Sequence, residues 1–80
     1  MTINDMLEQG IVLQGYISVV GVDANANIDE LYYEGCDEWY GPLDDGWANQ
    51  RITYMFAHDS WDGAMLRIEV EPRERFDDEV

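Results

Sequence analysis

Basic residues are scarce in this chain, which has no lysine and four arginines against 18 aspartates and glutamates, for a formal net charge of -14 at pH 7. Such a charge repels nucleic acid and anionic membranes, and it speeds association with a basic partner. A globule of this length should span roughly 30 Å, over which duplex DNA carries about 16 to 18 phosphates. We therefore expect a surface charge comparable to that of DNA. The alternative is that the charge serves solubility alone.

Cysteine is almost absent, since Cys36 is the single one in the chain. An internal disulfide is excluded, and Cys36 with His58 would supply two of the roughly four ligands that a structural zinc needs. The N-terminus has neither the basic start nor the apolar run of a signal peptide. No apolar stretch approaches the roughly 20 residues that cross a bilayer. These absences predict a cytoplasmic protein with no membrane role.

The side chains that perform catalysis are also few. His58 is the single histidine and stands beside Asp59, while serine occurs only at positions 18 and 60. No nucleophile signature surrounds either serine, no pair of carboxylates is singled out for glycoside hydrolysis, and no glycine-rich phosphate loop is present. We therefore predict that the protein is not an enzyme and uses no cofactor.

Four carboxylates that could bind calcium lie close together in the sequence. They could gather oxygen ligands, but their spacing does not match the twelve-residue calcium loop between two helices. A diffuse cloud of counterions is the favoured interpretation, and we predict no metal site. The four residues are Asp37, Glu38, Asp44 and Asp45.

Hydrophobic residues make up 46% of the chain, too many for a disordered protein, so residues 1–80 should form one domain. Thr2 is a plausible helix N-cap, Asp5 follows three residues later, and Gly10 ends an apolar face, which predicts a short helix over residues 2–9. Such a helix must dock on another element to be stable.

Four β-rich runs follow the predicted helix, at residues 11–22, 28–34, 51–58 and 65–71. Leu66, Ile68 and Val70 alternate with polar residues, as in a sheet with one face in water. We further expect Ile52, Tyr54 and Phe56 to share a face. Turns are predicted at DANAN, residues 23–27, and at DSWDG, residues 59–63. Residues 72–80 should form an acidic C-terminal tail.

The predicted fold is therefore α+β, with the short N-terminal helix packed on a four-stranded antiparallel sheet. Gly15 and Gly21 lie on the apolar face, where they leave room for a helix or for strong curvature of the sheet. A long acidic and aromatic loop should join the second and third strands.

That loop should run over the sixteen residues 35–50, and most of it belongs to the segment 34–47, which reads EGCDEWYGPLDDGW. Turn signals at residues 41–42 and 45–46 predict two successive turns, with Trp39, Tyr40, Leu43 and Trp47 anchoring them on the body. Long loops in compact domains are commonly functional. Carboxylates there could receive arginine and lysine from a partner, while the aromatic rings supply contact area. Glu69 and Glu71 would extend this surface if the loop folded over the polar face. The predicted partner-binding residues are Glu34, Asp37, Glu38, Trp39, Tyr40, Asp44, Asp45, Trp47, Glu69 and Glu71.

Three stretches carry a resemblance: TINDMLEQGIVLQGY at the start, YMF around Tyr54, and LRIEVE at residues 66–71. Together they resemble small acidic proteins encoded by phages and integrative elements of gut Firmicutes. The opening TINDML also resembles the start of a small acidic anti-CRISPR family whose members occupy the site for the protospacer-adjacent motif on a type II effector. The resemblance implies a mobile-element setting in a bacterial host cell.

These observations predict a non-enzymatic inhibitor that mimics DNA. It would bind a basic nucleic-acid-binding protein, above all a CRISPR effector nuclease, and block access of DNA or RNA without contacting nucleic acid itself. The rival hypothesis is an accessory or structural protein of a phage or mobile element, without inhibitory activity. Its charge would then serve solubility.

Overall fold

A computed structural model describes residues 1–60 and 63–72 of the chain. It confirms an α+β fold with one short helix and a four-stranded sheet. Residues 61–62 of the predicted turn and 73–80 of the predicted tail lie outside the described residues. In chain order the elements are helix α1 (Ile3–Glu8), strands β1 (Leu13–Val22) and β2 (Ile28–Trp39), a 3₁₀ helix (Gly46–Asn49), and strands β3 (Ile52–Ser60) and β4 (Gly63–Val70).

Helix α1 begins with the capping box that the sequence predicts. The Thr2 hydroxyl accepts a hydrogen bond from the Asp5 amide at 3.0 Å, and the Asp5 carboxylate accepts one from the Thr2 amide at 2.9 Å. Gly10, with φ of 92°, lies just beyond the helix C-cap. A helix of six residues cannot persist alone in water, so its stability comes from the apolar face it buries on the sheet.

The prediction of an all-antiparallel sheet is wrong. The strand order is β2-β1-β4-β3, and the central strands β1 and β4 run parallel, while the outer pairs are antiparallel. The segment between β2 and β3 carries the chain over one face of the sheet to the opposite edge, so the β3-β4 hairpin inserts with β4 beside β1. Alternating burial reports which face a residue occupies, and it carries no information on strand direction.

Strand β2 is longer than predicted, because it continues past Glu34 to Trp39. Its partner β1 pairs along its full length, with Leu13 opposite Trp39 and Ile17 opposite Gly35. The backbone hydrogen bonds of this ladder outweigh the poor strand propensity of glycine and aspartate. Residues 35–39 of the predicted loop are therefore regular sheet.

The turn between β1 and β2 forms as predicted at residues 23–27. One carboxylate oxygen of Asp23 accepts hydrogen bonds from the amides of Asn25 and Asn27 at 2.9 and 3.0 Å. Ala26 takes a φ of 65°, a left-handed conformation that alanine rarely adopts. The side-chain oxygen thus holds the turn even though no glycine is present in it.

The prediction that Ile52 shares a face with Tyr54 is wrong. Ile52 pairs with Val70, whose side chain is buried in the core, whereas Tyr54 pairs with Glu69 on the other face. An irregularity between Ile52 and Tyr54 adds a residue to β3 and reverses the alternation.

The hydrophobic core lies between the sheet and a layer formed by α1 and the 3₁₀ helix. We call this side of the sheet the covered face. It buries Ile3, Met6, Leu7, Leu13, Ile17, Val19, Trp39, Trp47, Ala48, Ile68 and Val70.

Gly21 makes room on the covered face for an aromatic ring, because a Cβ there would lie 3.0 Å from the Tyr32 ring. The predicted room for a helix is taken by this tyrosine. On the opposite face, which we call the open face, Ser18 is nonetheless buried, and Arg67 and Glu69 are half-buried where full exposure was expected.

Candidate acidic interface on the β2 edge

Strand β2 forms one edge of the sheet and carries five exposed carboxylates. From residue 29 to residue 38 they span roughly 30 Å, at about 3.3 Å per residue. Glu34 and Glu38 lie on the open face, opposite Ser18 and Gln14 of β1, and Asp37 lies on the other side, opposite Gly15. We call this set the acidic edge: Asp29, Glu30, Glu34, Asp37 and Glu38.

Tyrosines hold two of these carboxylates in place. The Tyr16 hydroxyl donates to Glu34 at 2.9 Å, and the Tyr33 hydroxyl donates to Asp37 at 2.9 Å. Asp37 also accepts the Glu38 amide at 2.8 Å. These donors leave the negative charge on the carboxylates, so the edge is ordered without being neutralised.

The hydrogen bonds at Asp37 shift two pKa values in opposite directions. The Glu38 amide first, and then the Tyr33 hydroxyl, lower the pKa of the Asp37 carboxyl below its ordinary value. The same hydrogen bond to Asp37 raises the pKa of the Tyr33 phenol. Asp37 is exposed and Tyr33 is half-buried at the edge of the sheet, where water screens their interaction, so these pKa shifts contribute little to stability.

The aromatic residues of the segment divide between core and surface. Trp39 and Trp47 are 6% and 7% exposed, and their ring centroids lie 5.6 Å apart beside Tyr33. They anchor the segment as predicted, and they leave little surface for a partner. Tyr40 is 68% exposed, so its prediction as an anchor is wrong and its ring is accessible. Leu43 is partly buried against the core.

A buried asparagine fixes the course of the loop after β2. The Asn4 amide group donates to the Leu43 carbonyl at 3.0 Å and to the Asn49 side chain at 2.9 Å, and its oxygen accepts the Leu43 amide at 2.7 Å. This contact ties the loop to α1 on the covered face. Asp44 and Asp45, which follow Leu43, are both exposed.

The loop therefore does not fold over the open face of the sheet. Glu69 and Glu71 do not extend the predicted partner-binding surface. Glu69 is half-buried on the open face, on β4, one strand removed from β2. Glu71 forms an ion pair with Arg51 at 2.9 Å, which raises the pKa of the Arg51 guanidinium. Among the described residues this is the one ion pair, and no described arginine pairs with an acid of residues 34–47.

Sequence reasoning missed Asp29 and Glu30 as members of the acidic edge. Both were assigned to a strand, but nothing in the alternation of the chain indicates that this strand lies at an edge. The signal that could have found them is the content of the strand itself, because acidic and glycine residues are tolerated best where one side of the ladder is unpaired.

The charge density of the molecule is lower than expected from the sequence. Its longest extent is 42 Å, over which duplex DNA carries about 25 phosphates. The described residues include 13 aspartates and glutamates and two arginines, a difference of -11. The described surface thus carries somewhat less than half of the charge of DNA per unit length. Strand β2 carries more of these acids than any other element, with five of the 13.

Other candidate sites are weaker in the described part of the chain. No three His, Cys, Asp or Glu side chains in residues 1–60 and 63–72 gather as a metal site would require. Cys36 is exposed on the β2 edge, and the side chain of His58 lies outside what the structure describes. None of the described helices has the length and apolar content needed to span a bilayer.

Comparisons of the chain with protein-family models, with curated proteins and with solved structures found no match.

Proposed function

We propose that this protein is an acidic inhibitor that binds the nucleic-acid-binding surface of a basic protein and blocks access of DNA or RNA. The partner class to test first is a CRISPR effector nuclease, on the strength of the resemblance of the N-terminal stretch. The observation that carries the proposal is the acidic edge, with five exposed carboxylates on one rigid strand.

Rigidity supports this function because a preordered surface loses little entropy on binding. Glu34 and Asp37 are already oriented by tyrosine hydroxyls, and the β-ladder fixes the spacing of the backbone. Carboxylates of this kind accept charge-assisted, often bidentate, hydrogen bonds from arginine, as phosphates do. The exposed Tyr40 ring, one residue beyond β2, adds an aromatic contact of the kind found at binding hot spots.

A second function is favoured by the position of the same charges. Exposed edge strands promote intermolecular pairing, and charged residues on the edge suppress it. The acidic edge would then keep an accessory protein of a mobile element soluble, and no partner would bind to it.

A binding experiment separates the two. The full chain is titrated against purified effector nucleases loaded with guide RNA, across a salt series and in competition with duplex target DNA. An inhibitor of this kind binds with an affinity that falls steeply with salt, and it is displaced by DNA. Affinity that is independent of salt and indifferent to DNA would refute the proposal.

Variants then separate the acidic edge from net charge. The triple amide variant of Glu30, Glu34 and Glu38 removes three charges from β2, and it spares Asp37, whose carboxylate is hydrogen-bonded within the fold. The matched control removes three charges outside β2, β3 and the predicted partner-binding residues, as the amide variant of Glu8, Asp77 and Asp78. The edge variant should lose at least about tenfold in affinity, and the control about twofold or less. Equal losses would show that only total charge matters. Aggregation of the edge variant without any loss of binding would support the solubility function.

A further inference from the structure

The edge of the sheet opposite the acidic edge is largely uncharged. Strand β3 is the other terminal strand, and residues 52–57 contain no charged side chain. Tyr54 and Met55 are 60% and 43% exposed, and Thr53 and Ala57 are exposed as well. An exposed, uncharged and largely apolar edge strand is the arrangement that pairs with another strand.

The N-terminus covers only the beginning of this edge. Ile52 donates its amide to the Met1 carbonyl at 2.8 Å, and Thr2 forms an isolated bridge with Arg51. Within residues 1–60 and 63–72 no strand other than β4 pairs with β3. The edge available beyond Ile52 runs from Thr53 to Ser60, which is longer than an average strand.

We propose that β3 pairs with β3 of a second copy of this chain, in an antiparallel and two-fold symmetric dimer that joins two four-stranded sheets. We choose a second copy as the partner of β3 because of the charges on the two edges of the sheet. A basic partner is attracted to β2, and it finds no electrostatic complement on residues 52–57. A second copy brings an edge strand that is also uncharged over residues 52–57, and a two-fold axis places the apolar side chains of the two strands against each other.

Repulsion between copies also favours this edge. Pairing through β2 would place two sets of five carboxylates about 4.8 Å apart across the new ladder. Pairing through β3 leaves seven interstrand steps between the two β2 strands, roughly 34 Å. That distance is several times the screening length of about 8 Å at physiological ionic strength. The acidic edges thus remain separate and accessible at the two ends of an eight-stranded sheet.

The interface would be small, because one added strand pair buries less than the roughly 1,200 Å² of a standard interface. A weak dimer is expected, so its detection needs sedimentation equilibrium of the full chain over a wide range of concentration. Salt discriminates this association from the proposed inhibitor complex. Raising NaCl from about 0.05 to 0.5 M screens the like charges of two copies. It should strengthen the dimer several-fold, whereas a complex with a basic partner weakens.

Two substitutions of the same type test the assignment of the edge. Met55→Glu places a new negative charge on β3, close to its counterpart in the second copy, and should weaken dimerisation at least about tenfold. Leu31→Glu makes a similar change on β2, where Leu31 is 54% exposed, and should change the dissociation constant by about twofold or less. Both side chains lie outside the buried core, so both variants should keep the fold of the unaltered chain. Circular dichroism of the two variants checks this.

A cysteine scan gives a second measurement that does not depend on stability. In a Cys36→Ser background, single cysteines are introduced at Thr53, Tyr54 and Met55 and at Ala57, and then at Leu31 as the control. An antiparallel pair brings equivalent positions near the two-fold axis to Cα separations of about 4.5 to 5.5 Å, within reach of a disulfide. At least one β3 position should form a covalent dimer under mild oxidation, and position 31 should not.

The proposal is overturned if the full chain stays monomeric at high concentration and high salt and no β3 cysteine cross-links. It is equally overturned if Met55→Glu reduces binding of a nuclease while self-association is absent, because β3 would then belong to the partner interface. The outcome for the inhibitor function is separate, since it depends on substitutions in β2.

Discussion

The contact made by Asn4 should be among the largest polar contributions to stability in the molecule. Its side chain makes three hydrogen bonds, at 2.7, 2.9 and 3.0 Å, and is only 6% exposed. A typical hydrogen bond contributes about 1 kcal/mol net, and an unsatisfied partner adds a further cost. Asn4→Ala should therefore lower the free energy of unfolding by about 2 to 4 kcal/mol, since it also strands the Leu43 amide and carbonyl.

That loss is large for a domain of this size, whose total stability should be about 4 to 12 kcal/mol at the usual value per residue. The assay is urea unfolding followed by tryptophan fluorescence, which reports on Trp39 and Trp47 in the core. Asn49→Ala is the control, because it removes one of the three bonds from an exposed residue and should cost about 1 kcal/mol. A cost for Asn4→Ala below about 0.5 kcal/mol would refute the assignment of these bonds to stability.

Asn4→Asp adds a test with a defined pH dependence. The new carboxylate would face the Leu43 carbonyl and the Asn49 side-chain oxygen, to which Asn4 now donates. Ionisation is disfavoured there, so the folded-state pKa of the new group should lie above its unfolded value of about 3.9. The variant should lose stability as the pH rises from the unfolded pKa through the folded pKa. Below the unfolded pKa its stability should rise relative to that of Asn4→Ala. A pH-independent difference between the two variants would contradict this reasoning.

Three further predictions concern single sites. Ala26→Gly should raise the free energy of unfolding by about 1 kcal/mol in urea, because it relieves a left-handed φ of 65°. Tyr33→Phe should raise the pKa of the Asp37 carboxyl in NMR titration, since it removes a donor to the carboxylate. Because folding lowers that pKa, the stabilising effect of Asp37 is present above the unfolded pKa and is lost as pH falls through the folded one. Gly21→Ala should cost about 1 to 3 kcal/mol, because its Cβ would lie 3.0 Å from the Tyr32 ring.

Each of these changes has a control at a similar site. Ala24→Gly lies in the same turn without a positive φ and should not stabilise the protein. Asp37→Asn should remove the small acid-dependent contribution of Asp37 to stability, which Tyr33→Phe only reduces. Gly46→Ala has open space around the new Cβ and an ordinary φ, so it should be close to neutral. A stabilising effect of Ala24→Gly equal to that of Ala26→Gly would show that backbone strain is not the cause.

Local chemistry was predicted well from the sequence. The capping box of Thr2 and Asp5 and the Asx turn at Asp23 form as expected, because each depends on residues within four positions of one another. The alternation of Leu66, Ile68 and Val70 likewise follows from the two-residue period of a strand. The α+β class follows from the order of these local elements.

The candidate site was predicted only in part, because its members come together through strand pairing. Asp37 and Glu38 were assigned to a loop, yet they lie on β2 because β1 offers a ladder of ten residues to pair with. Glu71 was assigned to the same surface, but it is paired with Arg51. Neither the strand pairing of these acids nor the ion pair of Glu71 can be predicted from the residues that flank them in the sequence.

The sequence by itself determined the composition of the surface, the caps and turns, and which side chains alternate along each strand. The tertiary structure decided that β1 and β4 run parallel and that the acidic strand β2 and the uncharged strand β3 occupy opposite edges. The physical reason is that propensity and alternation act within a few residues. Strand neighbours and edges are set by the crossing of residues 40–51 and by contacts such as that between Asn4 and Leu43, which join positions far apart in the chain.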